Sequence, residues 1–288
     1  MGNQRAATGS VVSLWRYPVK SMAGEQLNAV DVTETGLLGD RAYAVVDSTT
    51  GTIASAKNPR RFSGILDCLA AFADPPSLGS PPPPVRITLP NGTLVTSTDR
   101  TAADMLSTAF GHGVTLTSSA SGKHSIDVEN PDIEGIALAG THSGVPLPPD
   151  SFVDSGQVHL LSTATLDRLR EKYPRGRFEV RRFRPNVVIK PDEGWSGFVE
   201  NEWIGKTIGI GDTVRLKVLS PCSRCVMTTM SQGDLPQDAG ILRAIAQHTP
   251  RLALEGQRVF AANVGVYASV VRGGRVRRGD KVLTTEGL

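Results

Sequence analysis

The sequence predicts a mixed, strand-rich α/β protein built as two units. Short runs rich in Val, Ile and Thr recur along the whole chain between turns that carry Gly or Pro. Helical periodicity is confined to a few segments, near residues 101–110, 164–173 and from about 238 onward. Between the halves lies a polar stretch, residues 118–149, rich in Gly, Ser and Pro. Residues 9–117 are therefore expected to form a mixed-β unit with one helix, and residues 127–286 a second, strand-rich unit.

At 288 residues the chain can bury a substantial core. Its 31 Lys and Arg nearly balance its 28 Asp and Glu, so the charge demands neither nucleic acid nor a membrane surface. Aromatic residues make up 5% of the chain, and no basic stretch has interleaved aromatics for stacking bases. Three cysteines argue against a disulfide framework and for a reducing compartment. Met1 to Ala6 lack the apolar run of a signal peptide, and no segment approaches the roughly 20 apolar residues of a membrane span. The expectation is a soluble, cytoplasmic protein.

Taken in order, residues 11–15, 28–32 and 41–47 read as strands. Pro18 breaks the first, in Tyr17-Pro18-Val19-Lys20-Ser21. The glycines of Gly36-Leu37-Leu38-Gly39-Asp40-Arg41 allow a sharp corner. Lys20, Ser21 and Arg41 thus fall at strand ends, where small-molecule contacts arise, although isolated cations there are most often solvated. Lys57, Arg60 and Arg61 read still more as solvated surface. A proline-rich loop follows at 74–84. Asn91-Gly92 between two β-type runs signals a hairpin, and Thr101 is placed to cap a short helix.

In the second half, 157–161 reads as a strand, with Ser162-Thr163 capping a helix over 164–173. Hydroxyls and free amides at a helix start also suit an anion, although an ordinary cap is far commoner. Arg181-Arg182-Phe183-Arg184-Pro185-Asn186 precedes a strand at 187–189. It fits a charged rim and a phosphate cradle equally. The tryptophans of the 194–203 loop are more often packing than ligand-stacking. The glycines of 205–212 lack the dinucleotide-loop spacing and setting, so no cofactor role is read there.

The chain is organised around Ser220-Pro221-Cys222-Ser223-Arg224-Cys225, which follows the β-branched run 213–218. A guanidinium beside a thiol favours the thiolate, making Cys225 a reactive candidate. Cys222-x-x-Cys225 leaves several readings open. Structural zinc wants a second ligand pair, and a thioredoxin-like dithiol wants a βαβ unit. A single thiolate on a metal or reactive centre would leave Cys222 incidental, and a buried inert cysteine has the highest base rate.

Five segments together resemble the two-domain MOSC-domain proteins, the group of the mitochondrial amidoxime reducing component and its bacterial relatives. Tyr17 to Ser21 resembles that family's YPVKS, and Gly36 to Arg41 its GLxGDR turn. His159 to Thr163 resembles HLxST, Arg182 to Asn186 resembles RFRPN, and Ser223-Arg224-Cys225 the cysteine motif. They occur in family order across nearly the whole chain.

The resemblance implies a second domain that is a MOSC β-barrel with peripheral helices, and a molybdenum cofactor in the cleft between domains. That cofactor is a pterin with a dithiolene and a terminal phosphate, its nucleotide form unspecified. Carried over, Cys225 is the metal ligand and catalytic centre. Lys20, Ser21, Arg41, Ser162, Thr163, Arg184, Asn186, Ser223 and Arg224 hold the pterin and its phosphate. Arg182 and His159 are set apart, because neighbours in a strand face opposite ways. The implied activity is a molybdenum-dependent reductase (an oxidoreductase) of N-hydroxylated or N-oxygenated compounds. A separate donor protein, of ferredoxin, reductase or cytochrome type, would supply electrons, with no nucleic acid or membrane span involved. The other implied role is a cofactor carrier or sulfur-transfer protein, since MOSC domains also end cofactor sulfurases. Residues 228–234 are less acidic than the proline-containing run of the reductase group, and no cysteine-rich ferredoxin-type segment precedes Leu288.

Overall fold

The computed structural model describes residues 8–118, 122–130, 140–254 and 259–285. At its centre seven strands close into a barrel. Round the barrel they run Thr8–Arg16, Val187–Pro191, Val158–Ser162, Asn263–Arg272, Val214–Ser223, Thr207–Ile210 and Lys281–Thr285, which returns to Thr8–Arg16. Closure removes the unpaired edges that an open sheet would expose. The pairings are antiparallel except Val158–Ser162 against Val187–Pro191, where Leu160 faces Val187.

Alternation along the strands sets what is inside. Val214, Leu216 and Val218 are buried, while Arg215 and Lys217 between them stay partly exposed. With Val11, Leu14, Leu160, Ile189, Val266 and Trp203 they form the barrel core. Trp203 thus serves packing, as its sequence setting suggests.

The described helices are α1 (Ala102–Phe110), α2 (Thr163–Lys172), α3 (Val180–Phe183) and α4 (Ala239–His248). Every residue of Val158–Ser162 is buried, because α2 and α4 cover that strand's outer face. Leu161, Leu166, Leu169, Ile241, Leu242 and Ile245 fill the seam. Ser162 caps α2, its Oγ accepting from Thr165 N, and Asp238 caps α4, accepting from Gly240 N. No helix among the described residues is long and apolar enough to cross a membrane.

The first half builds a second core. Leu69–Phe72, Val85–Thr88 and Leu94–Thr96 form one sheet, and Ala44–Asp47 pairs with Val114–Thr117. Val19, Met22, Phe62, Ile65, Ile87 and Leu106 pack there, joined by Met227 from the second half. The Asn91-Gly92 turn connects two of these strands, Gly92 taking φ 83°. Thr101 precedes α1 without capping it, because its hydroxyl donates to Met105 Sδ instead.

Within the polar stretch after residue 118, Ser125–Asn130 pairs with Gly140–Pro146. Ile126 and Val128 anchor that pair against Ala44, Ile53 and Phe152. Residues Arg182 to Arg184 do not alternate as in a strand. Val180–Phe183 is a single helical turn ended by Arg184 in the left-handed region, at φ 54° and ψ 48°.

Candidate functional site

Two segments of the first half are laced together by backbone hydrogen bonds. Lys20 N donates to Tyr43 O (2.9 Å), and Tyr43 N donates to Pro18 O (2.9 Å). Arg41 N donates to Tyr17 O (2.7 Å), and Tyr17 N to Asp40 Oδ1 (2.9 Å). Gly39 permits the corner, since at φ +82° a Cβ there would lie 2.7 Å from the Phe72 ring. The corner brings Lys20, Ser21 and Arg41 to one wall.

The second half supplies the facing wall. Arg184, at the left-handed end of α3, lends its carbonyl to Arg41 Nη2 (3.4 Å) and to the His159 ring (3.4 Å). Asn186 rivets two barrel strands: its Oδ1 accepts from His159 N (3.0 Å) and its Nδ2 donates to Trp15 O (3.3 Å). Arg224 donates through Nη1 to Cys222 Sγ (2.7 Å) and through Nη2 to Phe183 O (2.9 Å). Its Nε is buried and has no partner among the described residues.

Between these walls lies one cavity. Its cationic lining is Lys20, Arg41, Lys57, Arg184 and Arg224, against the single carboxylate of Asp154. Lys20 Nζ donates to Asp154 Oδ1 (2.5 Å) and to Phe152 O (2.7 Å). Lys57 Nζ lies 3.0 Å from Asp154 Oδ2. Burial opposes charge on all three, but the two lysines hold the Asp154 carboxyl well below the usual range. Burial lowers Lys20 to about 8 despite Asp154. Burial and the nearby Arg41 lower Arg184 to about 10. Burial would raise the Cys222 thiol, yet Arg224 and His159 bring it below the ordinary thiol range.

Ser21, Arg41 and Arg184 are three of the five non-glycine residues with positive φ among the described residues, at 66°, 48° and 54°. All three line the cavity. Such backbone costs on the order of 1–3 kcal/mol per residue and persists where the surroundings enforce it, typically at functional sites.

Of the residues singled out from sequence, the cavity gathers Lys20, Ser21, Arg41, Arg184, Asn186 and Arg224. Ser162 and Thr163 are not in its wall: Ser162 is fully buried and spent on capping α2. Ser223 is exposed and donates to Asn263 Oδ1 (3.1 Å). Cys225 is half-buried and follows the wall residue Arg224, but it is not itself among the lining residues and packs against the apolar core of the first half. Arg182 is fully buried away from the cavity and donates to the carbonyls of Arg177, Thr228, Met230 and Pro236. His159, set apart from sequence, does line the wall, and so does Lys57, read there as solvated surface. Asp154 and Tyr267 also line it. Asp154 sits in an irregular segment with no pattern to mark it, and Tyr267 is one aromatic in a long strand.

The MOSC domain profile matches residues 148–283, and the MOSC N-terminal beta barrel domain profile matches residues 8–65. The chain is 26% identical over 299 residues to mitochondrial amidoxime reducing component 2 of Rattus norvegicus, covering 97% of this chain and 84% of that one. It is 24% identical over 305 residues to mitochondrial amidoxime-reducing component 1 of Mus musculus, covering 95% and 82%. Molybdenum cofactor sulfurase of Homo sapiens is 26% identical over 255 residues, 77% of this chain but 26% of that protein. Among solved structures, the YUAD protein from Bacillus subtilis superposes with a TM-score of 0.44 at 12% identity, over 98% of this chain and 99% of that one.

Proposed function

Because the chain belongs to the two-domain MOSC proteins, we propose that it binds a molybdenum cofactor and reduces N-oxygenated compounds. The observation that carries this reading is the cavity itself, with five cations facing one carboxylate and a buried Arg224 Nε without an acceptor among the described residues. A buried cationic wall of this kind is stabilised by an anionic ligand. A pterin phosphate and a metal dithiolene supply that negative charge. Among the described residues no three His, Cys, Asp or Glu side chains converge as a ligand set. A single cysteine thiolate therefore suits a metal that brings its other ligands with it.

In this reading Cys225 supplies the thiolate ligand. Lys20, Ser21, Arg41, Arg184 and Arg224 hold the anionic groups, with Asn186 fixing the wall on which they stand. Ser162, Thr163 and Ser223 act at one remove, through α2 and the Asn263 contact. When bound, the cofactor supplies the electron-transfer and oxygen-accepting centre. The overall reaction breaks an N–O bond, takes up two electrons and two protons, and releases water. We place the protein in the cytoplasm, with electrons from a separate donor protein. The relatives named amidoxime reducing component support the reductase reading.

The sulfurase similarity favours a second reading, a cofactor carrier or sulfur-transfer protein. Metal and pterin analysis of protein from a cofactor-competent host separates the outcomes. We expect molybdenum near stoichiometric in the wild type and strongly reduced in Cys225→Ala, and benzamidoxime turnover with an artificial reductant. Molybdenum without turnover, passing readily to an apoenzyme, would support the carrier. Absence of both metal and pterin would reject both readings.

A further inference from the structure

The guanidinium carbons of Arg41 and Arg184 stand 4.5 and 4.1 Å from the centroid of the same ring, that of Tyr17. These arginines come from opposite halves of the chain, and Arg41 is among the groups that disfavour charge on Arg184. Arg41 has Asp40 as its ion-pair partner. Arg184 is not in any ion pair recorded among the described residues; its guanidinium donates to the Met22 carbonyl. The electron-rich face of the Tyr17 ring meets it as well, and such a face attracts a desolvated cation.

Tyr17 is itself 2% exposed, and each of its polar groups ties it to one of the two arginine corners. Its N–H donates to Asp40 Oδ1, its carbonyl accepts from Arg41 N, and its hydroxyl donates to Pro185 O (3.2 Å). Asp40 precedes Arg41 and Pro185 follows Arg184, so the ring is fixed to both backbones whose side chains it faces. Both arginines also hold left-handed backbone that non-glycine residues seldom take.

We propose that Tyr17 is a positioning residue. It holds Arg41 and Arg184 together at the cavity wall so that both can meet one anionic group. This rests on the cofactor reading above and adds to it a residue whose contribution is the charge distribution of its ring.

The test is pyrophosphate binding by calorimetry near neutral pH, with molybdenum and pterin content of the same preparations. Tyr17→Phe keeps the ring and should bind within about twofold of wild type. Tyr17→Phe with a perfluorinated ring keeps the shape but reverses the ring's electrostatics, and should bind about tenfold more weakly. Tyr17→Leu should behave like the fluorinated form if it folds. Equal binding by the plain and fluorinated Tyr17→Phe proteins would overturn the proposal. So would a large loss shared by both, which would assign the role to the hydroxyl. A wild type that holds metal and pterin while no variant changes would sink the Tyr17 role alone. A wild type that binds neither pyrophosphate nor cofactor would overturn the functional reading, and this role with it.

Discussion

Arg224 Nη1 donates to the sulfur of Cys222 at 2.7 Å, so the first cysteine of the pair is the buried counter-group of a cavity arginine. The cation and the buried His159 hold that thiol below its ordinary range, and Arg224 is itself only 7% exposed. Removing one partner of a buried pair leaves the other charge uncompensated, typically a loss of about 3 kcal/mol or more. Cys222→Ala should lower stability by about that amount in urea unfolding, with Cys222→Ser falling between. An unchanged midpoint for Cys222→Ala would show that Arg224 does not depend on the sulfur.

Lys20 should make anion binding sensitive to pH above neutrality. Burial lowers its ammonium to about 8, so the free protein loses this charge as pH rises through that value. Sulfate, which does not titrate in this range, should bind uniformly below about pH 8 and more weakly above it. The decline should be at most about tenfold per pH unit. For stability the sign is opposite. The unfolded chain keeps the proton to higher pH, so the cost of burying charged Lys20 is full below about pH 8 and is relieved above it. Lys20→Met should flatten both dependences in paired titrations, and a persistent sulfate decline in that variant would point to another group.

Arg182 should govern the rigidity of the turn that follows Cys225. Its guanidinium donates to the carbonyls of Thr228, Met230 and Pro236 as well as Arg177. Buried acceptors left unpaired cost about 1–3 kcal/mol each. Arg182→Met should destabilise the protein by about 4 kcal/mol. Hydrogen exchange should quicken across residues 226–238 before the barrel strands respond. Uniform protection across that segment would contradict the clamp.

Glu200 sets a cost at the start of α2. It is 1% exposed, and its Oε2 accepts from Thr165 (2.7 Å), while its Oε1 has no partner among the described residues. Burial raises its carboxyl pKa, so folding is penalised as pH rises above the ordinary carboxylate range. Glu200→Gln should match the wild type near pH 4 and be more stable than it near pH 7. A less stable variant at neutral pH would mean that the carboxylate is needed as an anion at that helix start.

The strand-rich character was legible because alternation is a local property: Val214 to Val218 declares its two faces without help from the rest of the chain. The basic wall was legible in part, through corners that punctuation residues mark, such as Gly39 before Arg41 and Pro185 after Arg184. What escaped depends on long-range placement. Lys57 reads as a solvated cation until Asp154, nearly a hundred residues later, is folded beside it. Ser162 carries the same cap signal whether or not an anion is near, and the structure spends it on Thr165. The pair formed by Ser125–Asn130 and Gly140–Pro146 was masked because few of its side chains are apolar enough to show a period.

The position of Thr8–Arg16 between Val187–Pro191 and Lys281–Thr285 has a consequence for synthesis. The ring is sewn shut where Thr8–Arg16 meets Lys281–Thr285, so that margin of the ribbon stays unpaired until residues 281–285 have been made. Such distant closure is slow and leaves hydrogen-bonding edges open in the meantime. A fragment beginning near residue 148 would lack this stave and present two raw margins, and it should associate or aggregate where the intact chain stays closed.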